Sequence, residues 1–150
     1  MRRKERECSE PEFLKKILQQ TDAISIAFYA EKYPYIIPVN YTLLNDALYF
    51  HCAKEGRKLE CMKKNSNIGF SIYHIIDIDR DKATTHYISL YGEGQAVEVT
   101  DKQEKQCALA SLAEKYKSNC KFPVNDNILM NTTIIKINII SMSGKKNIPD

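Results

Sequence analysis

The chain's five cysteines (Cys8, Cys52, Cys61, Cys107 and Cys120) form no CxxC pair and no cysteine–histidine pattern with metal-ligand spacing. Their count is odd and no secretory apolar segment precedes them, so free thiols in a reducing, cytoplasmic compartment are expected. Long apolar runs are also missing. The longest, from Ile134-Ile135 to Ile139-Ile140, is already broken by Lys136 and Asn138, so no membrane span is expected. Charge of one sign is scarce: 22 lysines and arginines face 19 acids. The net charge of +3 gives no argument for nucleic acid or an anionic membrane as a partner. Much of that excess sits in Met1-Arg2-Arg3-Lys4 and at Lys145-Lys146, which read as solvated ends.

Catalytic signatures are equally thin. His51, His74 and His86 each stand at or near a strand end and share no metal-ligand pattern, so no metal site is expected. No pair of acids suggests a glycosidase, and Ser25, Ser71 and Ser89 lack a nucleophile-elbow context, which argues against a hydrolase. There are no repeats, low-complexity tracts or linkers. With 150 residues, 43% of them hydrophobic and 27% charged, the chain is expected to form one domain, residues 1–150, around one core.

What is present is mostly strand. Ser9-Glu10-Pro11-Glu12 predicts a helix start by a capping box, followed by Phe13, Leu14, Ile17 and Leu18 on one face, with an end near Thr21-Asp22. Ile24, Ile26 and Phe28 alternate as a strand. A second strand is predicted across Tyr35 to Leu43, with Tyr35, Ile37, Val39, Tyr41 and Leu43 on one face; Pro38 marks it as an edge or a bulge. A turn at Leu44-Asn45-Asp46-Ala47 leads into the strand Leu48 to Ala53. After Gly56 comes a short helix with Leu59 and Met62 inward, ended by Asn65-Ser66-Asn67. A strand with Ile68, Phe70 and Ile72 follows, then a charged loop from Asp77 to Lys82 and a long strand or bent pair from Thr84 to Val99. Thr100-Asp101-Lys102-Gln103 reads as a second capping box, opening a helix with Leu109, Leu112, Ala113 and Tyr116 as its stripe. A polar loop from Lys117 to Asn127 precedes the last strand, Thr132 to Met142. About six strands with short connections favour an antiparallel barrel with three short helices over a parallel sheet.

His51-Cys52-Ala53-Lys54-Glu55-Gly56-Arg57-Lys58 is the most informative segment. A strand ends, a glycine turn follows, and two basic side chains open a helix, which together suit a phosphate. Taken alone, the segment reads more readily as a surface turn with solvated charges, and its spacing is not that of a Walker motif. Nine tyrosines, several at strand positions (Tyr35, Tyr41, Tyr49, Tyr87, Tyr91), suit planar-ligand pockets and interfaces as well as ordinary half-buried packing.

The order of segments resembles a known family. Met1-Arg2-Arg3-Lys4-Glu5-Arg6-Glu7, Tyr33-Pro34-Tyr35, Pro38-Val39-Asn40-Tyr41 and Leu48 to Lys58 are similar to the pyridoxamine 5′-phosphate oxidase-like split barrels, most of all the nitroimidazole-resistance (Nim-type) branch. Ser89, Gly92-Glu93-Gly94-Gln95-Ala96, the helix from Glu104-Lys105 to Lys115-Tyr116, and Ser143-Gly144-Lys145 continue the match over nearly the whole chain. The resemblance implies a mainly β, six-stranded antiparallel split barrel with short flanking helices, a homodimer holding FMN between its subunits. It implies that Lys58, Arg57 and the turn from Cys52 through Ala53 to Gly56 receive the phosphate. Cys52 stands where members often carry serine, a better phosphate donor. Pro38, Val39, Asn40 and Tyr41 would lie along the isoalloxazine, Ser89 near the cofactor, and His51 near the flavin ring as candidate proton donor.

The activity implied is an FMN-dependent oxidoreductase passing electrons from a reduced nicotinamide to a small planar acceptor, a nitroimidazole being one candidate. Two alternatives stay open. Pyridoxamine 5′-phosphate oxidation is disfavoured because Arg80 is the only internal arginine besides Arg57. A non-catalytic protein that stores or senses flavin or haem is the other.

Overall fold

The computed structural model describes residues 4–148; the Met1-Arg2-Arg3 part of the basic N-terminus lies outside the described residues. Helix α1 (Pro11–Gln20) buries Leu14, Ile17 and Leu18. Its N-cap is Glu10 with no side-chain cap, and the Ser9 hydroxyl turns instead to Glu7 at 3.4 Å. Pro11, with its φ already helical, sets the start without the predicted box.

Seven strands form one antiparallel sheet, not the six expected. They are β1 (Ala23–Phe28), β2 (Tyr35–Asn40), β3 (Thr42–Leu44), β4 (Ala47–Cys52), β5 (Asn67–Asp79), β6 (Thr84–Glu98) and β7 (Thr133–Asn147), in the order β2-β1-β5-β6-β7-β4-β3. The extra strand arises at Tyr41. The segment read as one strand pairs with β1 up to Asn40 and with β4 from Thr42, at opposite ends of the sheet. Tyr41 alone spans the gap. Its backbone N–H donates to the Tyr116 hydroxyl at 2.9 Å and its carbonyl faces that hydroxyl at 3.0 Å, which replaces ladder bonds it cannot make there. Pro38 sits on an edge strand, where a missing N–H costs little. The sheet thus curls into a barrel left open between β2 and β3.

Other boundaries also differ. β5 runs through the first half of the predicted charged loop, to Asp79, and meets β6 in a turn at residues 80–83, with a bulge between Ile75 and Asp77. β7 continues past Met142 because this long β6 arm offers partners, Tyr87 to Tyr91, for Ser143 to Asn147. Helix α2 (Arg57–Lys64) buries Leu59 and Cys61. Helix α3 (Lys102–Lys115) is capped by Asp101, whose carboxylate accepts from the Glu104 N–H at 2.7 Å, one residue later than expected. The polar loop gives way to helix α4 (Asp126–Asn131), capped by the Asn125 side chain.

Two apolar clusters hold these parts together. The larger fills the barrel with Ile24, Ile26, Phe28, Leu48, Phe50, Phe70, Ile135 and Ile137, closed on one side by α1. The smaller, with Ala47, Tyr49, Val99, Ala108 and Ile134, glues α3 to the outside of β4. Among the described residues no helix is long and apolar enough to cross a membrane.

Candidate functional site

β4 delivers the first group of residues. Alternation buries Phe50 completely in the barrel and sends His51 to the opposite face. On that face Tyr49 is sealed beneath α3, whereas His51, two residues on, is exposed. Partial burial of the ring and the neighbouring charge of Lys58 both hold the His51 pKa below its ordinary 6.5, so the imidazole is the free base at neutral pH. Cys52 leans back on the barrel core, and burial raises its thiol pKa; the charge of Lys58 offsets part of this, and Glu98 adds to it.

The chain then turns through Ala53 to Gly56 and enters α2. Gly56 has φ +134°, a conformation that side chains avoid, and nothing lies within 4 Å of the place a Cβ would occupy. Its carbonyl accepts from Leu59 and Glu60, but among the described residues no acceptor meets the N–H of Arg57 or Lys58, and no side chain caps the helix. These two N–H groups and the helix dipole face open space. Buried Leu59 and Cys61 anchor the helix in this position. Lys58 is half-buried, and among the described residues neither it nor Arg57 is ion-paired.

Arg57 rests its guanidinium 4.7 Å from the centre of the Tyr35 ring, which ties the turn to the start of β2. The sequence marked Tyr35 only as one of several strand tyrosines suited to pockets or packing and as part of Tyr33-Pro34-Tyr35. Its contact with Arg57 was not legible there, because it joins residues far apart in the chain. Beside Arg57 lies a cavity of about 240 Å³ lined also by Tyr29, Lys32 and Glu60, with a Lys64–Glu31 ion pair on its wall.

The residues of β2 divide by face. Pro38 and Asn40 point outward, level with Ser25 and Ala23 of β1, whereas Val39 packs half-buried against the core. As an edge strand, β2 keeps one side of its backbone free of the sheet. Tyr41 is not available in that way. Its ring is fully buried, its hydroxyl bonds to Thr21 and Leu18, and its backbone groups are engaged by Tyr116.

Ser89 lies elsewhere. It sits on the outward face of β6, opposite Tyr73 and Lys145, nine residues before Glu98. Glu98 is the β6 residue beside Cys52. At the rise of a strand the separation is about 30 Å along β6. A single chain therefore brings His51, Cys52, Ala53, Arg57 and Lys58 together, with β2 alongside through Tyr35, and leaves Ser89 at a distance.

The sequence profile of the family described as Pyridoxamine 5′-phosphate oxidase matches residues 10–146. Among solved structures, the chain is similar to a provisionally assigned 5-nitroimidazole antibiotic resistance protein from Bacteroides thetaiotaomicron. Identity is 25%, with 93% of this chain and 85% of that one covered and a TM-score of 0.83. The flavocytochrome Anf3 from Azotobacter vinelandii is 17% identical, with 99% and 72% covered and a TM-score of 0.83. A FAD and heme binding protein from Mycobacterium smegmatis is 15% identical, with 97% and 76% covered and a TM-score of 0.81. At such identity the last two show the fold alone. The sequence matches no curated protein.

Proposed function

The chain belongs to the Pyridoxamine 5′-phosphate oxidase family, and from that premise we propose that it is an FMN-dependent oxidoreductase passing electrons from a reduced nicotinamide to a small planar acceptor, nitroimidazoles among them. One observation carries this reading: the α2 N-terminus has two unmet N–H groups, a positive-φ glycine opening onto free space, and two cations without a carboxylate. That arrangement fits a phosphate dianion. The N–H groups of Arg57 and Lys58 would hold the phosphate with the Lys58 ammonium, and Arg57 would be kept in place by Tyr35. The free backbone edge of β2 would meet the polar edge of the ring system. The flavin supplies the redox chemistry when bound. His51, a free base beside the turn, would exchange a proton with the acceptor. The similar structures named for FAD or for flavocytochrome function support a flavin, and the nitroimidazole-resistance protein supports the acceptor class.

The distance to Ser89 supports a homodimer. The outward face of β1, β5, β6 and β7 has a floor of small residues, Ser25, Ala27, Ser71, Ser89 and Ser143, flanked by exposed Tyr73 and Tyr91. A second copy laid on this face would bring Ser89 of one subunit to the phosphate turn of the other, and light scattering giving a flavin-loaded monomer would remove that arrangement.

FMN titration tests the reading directly. Lys58→Glu should weaken binding by at least about tenfold, the loss of one charge-assisted hydrogen bond, with the fold intact. Equal affinity removes the turn from the site. Flavin that binds but is not reduced by NADH or NADPH restores the storage reading.

A further inference from the structure

On the sheet face that carries Ser89, two cations converge on one phenol. Tyr87 lies on β6 two residues before Ser89, and Lys145 lies across from Ser89 on β7. The Lys145 ammonium is 5.9 Å from the centre of the Tyr87 ring. Arg6 stands in the N-terminal turn (Lys4–Arg6) that the Glu7–Lys145 bridge pins to β7, and it adds a second positive charge near the same phenol. Partial burial pushes the Tyr87 phenol up, but hydrogen bonding and charge from Lys145 and Arg6 outweigh it and hold the pKa below the ordinary 10.0. The Tyr73 ring lies 5.3 Å from Tyr87, tilted by 45°, and extends the aromatic surface away from the cations.

No acid among the described residues neutralises this group. Among the described residues neither Arg6 nor Lys145 has an ion-pair partner. Of the two acids that flank Arg6 in sequence, Glu5 makes no ion pair among the described residues and Glu7 takes the Ser9 hydroxyl, while Glu93, on the same outward face, takes that of Tyr91. Two cations held at one phenol with no counter-charge form a site complementary to an anion. An aromatic wall beside it specifies a ring. The backbone N–H groups here belong to strand ladders, so the cradle that favours a phosphate dianion is missing, whereas the planar guanidinium fork of Arg6 matches a carboxylate.

We propose that Arg6, Lys145 and Tyr87 bind the carboxylate of a small aromatic acid whose ring lies against Tyr73 and Tyr87. As the subsite that selects an acidic electron acceptor, it rests on the oxidoreductase reading above. As a binding site it stands by itself. The acid's ring would lie beside Tyr87 and Tyr73, next to the floor that the second copy covers, so acceptors bearing a carboxylate are preferred over neutral ones of the same shape.

Calorimetric titration of the full chain with benzoate, benzyl alcohol and inorganic phosphate at low salt tests this. Benzoate should bind at least about tenfold tighter than benzyl alcohol, and Arg6→Gln and Lys145→Gln should each remove most of that difference, at unchanged melting temperature. Lys102→Gln, on α3 and paired with Asp126, should leave it untouched. Equal binding of benzoate and benzyl alcohol overturns the site. So does benzoate affinity that ignores both substitutions, or phosphate binding in place of benzoate. A wild-type protein that takes benzoate but no flavin overturns the oxidoreductase reading and leaves this site standing.

Discussion

The Lys115 ammonium lies 3.8 Å from the centre of the Tyr41 ring, and both side chains donate to the same carbonyl, that of Leu18, at 3.2 and 2.9 Å. Leu18 is in the last turn of α1, where carbonyls have no partner within the helix. Residues from α3 and from the gap between β2 and β3 therefore finish a helix that belongs to neither.

This junction predicts a pH dependence. Burial lowers the Lys115 pKa to about 8 from 10.5, with the Asp22 charge opposing only in part. Between those two values the unfolded chain binds more protons, so this group's contribution to stability rises with pH through the window. Tyr41, pushed up to about 12 from 10.0 mainly by burial, acts in the opposite sense above pH 10. Urea unfolding from pH 7.5 to 10 should show the rise in the wild type, and Lys115→Met should flatten it.

Tyr41→Phe keeps the buried ring and removes only the hydroxyl. Leu18 retains Lys115 as a donor, and the Thr21 hydroxyl retains the Ile17 carbonyl as an acceptor. The loss should therefore be about 1 kcal/mol, near that of a single hydrogen bond. Tyr41→Ala, which empties the site, should cost roughly 3–5 kcal/mol by analogy with other large aromatic truncations. Denaturant midpoints compare the two.

Gly92 is fixed by a neighbour. A Cβ there would lie 2.2 Å from the tip of the Phe70 ring. Gly92→Ala should destabilise by about 1–3 kcal/mol, and combining it with Phe70→Leu should recover part of the loss as a non-additive coupling. Gly94→Ala meets the Asn138 backbone carbonyl at 2.6 Å, so no side-chain change on that neighbour should rescue it.

His51 should titrate below 6.5 by NMR, and Lys58→Gln should raise its pKa, because partial burial then acts without the lysine charge. In the flavin-loaded protein, His51→Ala should retain cofactor while acceptor turnover falls by about 10²–10⁴-fold. Stopped-flow measurement of both half-reactions, normalised to bound flavin, separates this from loss of folded protein.

Much of this fold could be read from residue order. Period-two alternation located Ile24, Ile26 and Phe28 because each faces a single continuous core. The same rule put His51 opposite Phe50. It failed at Tyr41, where alternation persists through a residue that leaves one ladder and joins another. Only the Tyr116 hydroxyl, 75 positions away, reveals that break. The turn proposed for a phosphate could be picked out in the sequence because its residues are consecutive. The meeting of Arg57 with Tyr35, and of Arg6 with Tyr87 and Lys145, was not, because distant segments make it.

β7 is the single strand between β6 and β4. A nascent chain emerging from the ribosome can pair β2, β1, β5 and β6 with one another, and β3 with β4, well before β7 is made. Until then the bonding edges of β6 and β4 are open and Phe50 has lost the strand beside it, a state in which strand edges and apolar faces invite association with other chains. Residues 133–147 are therefore what joins the two half-sheets, and until they are made those edges have no partner within the chain.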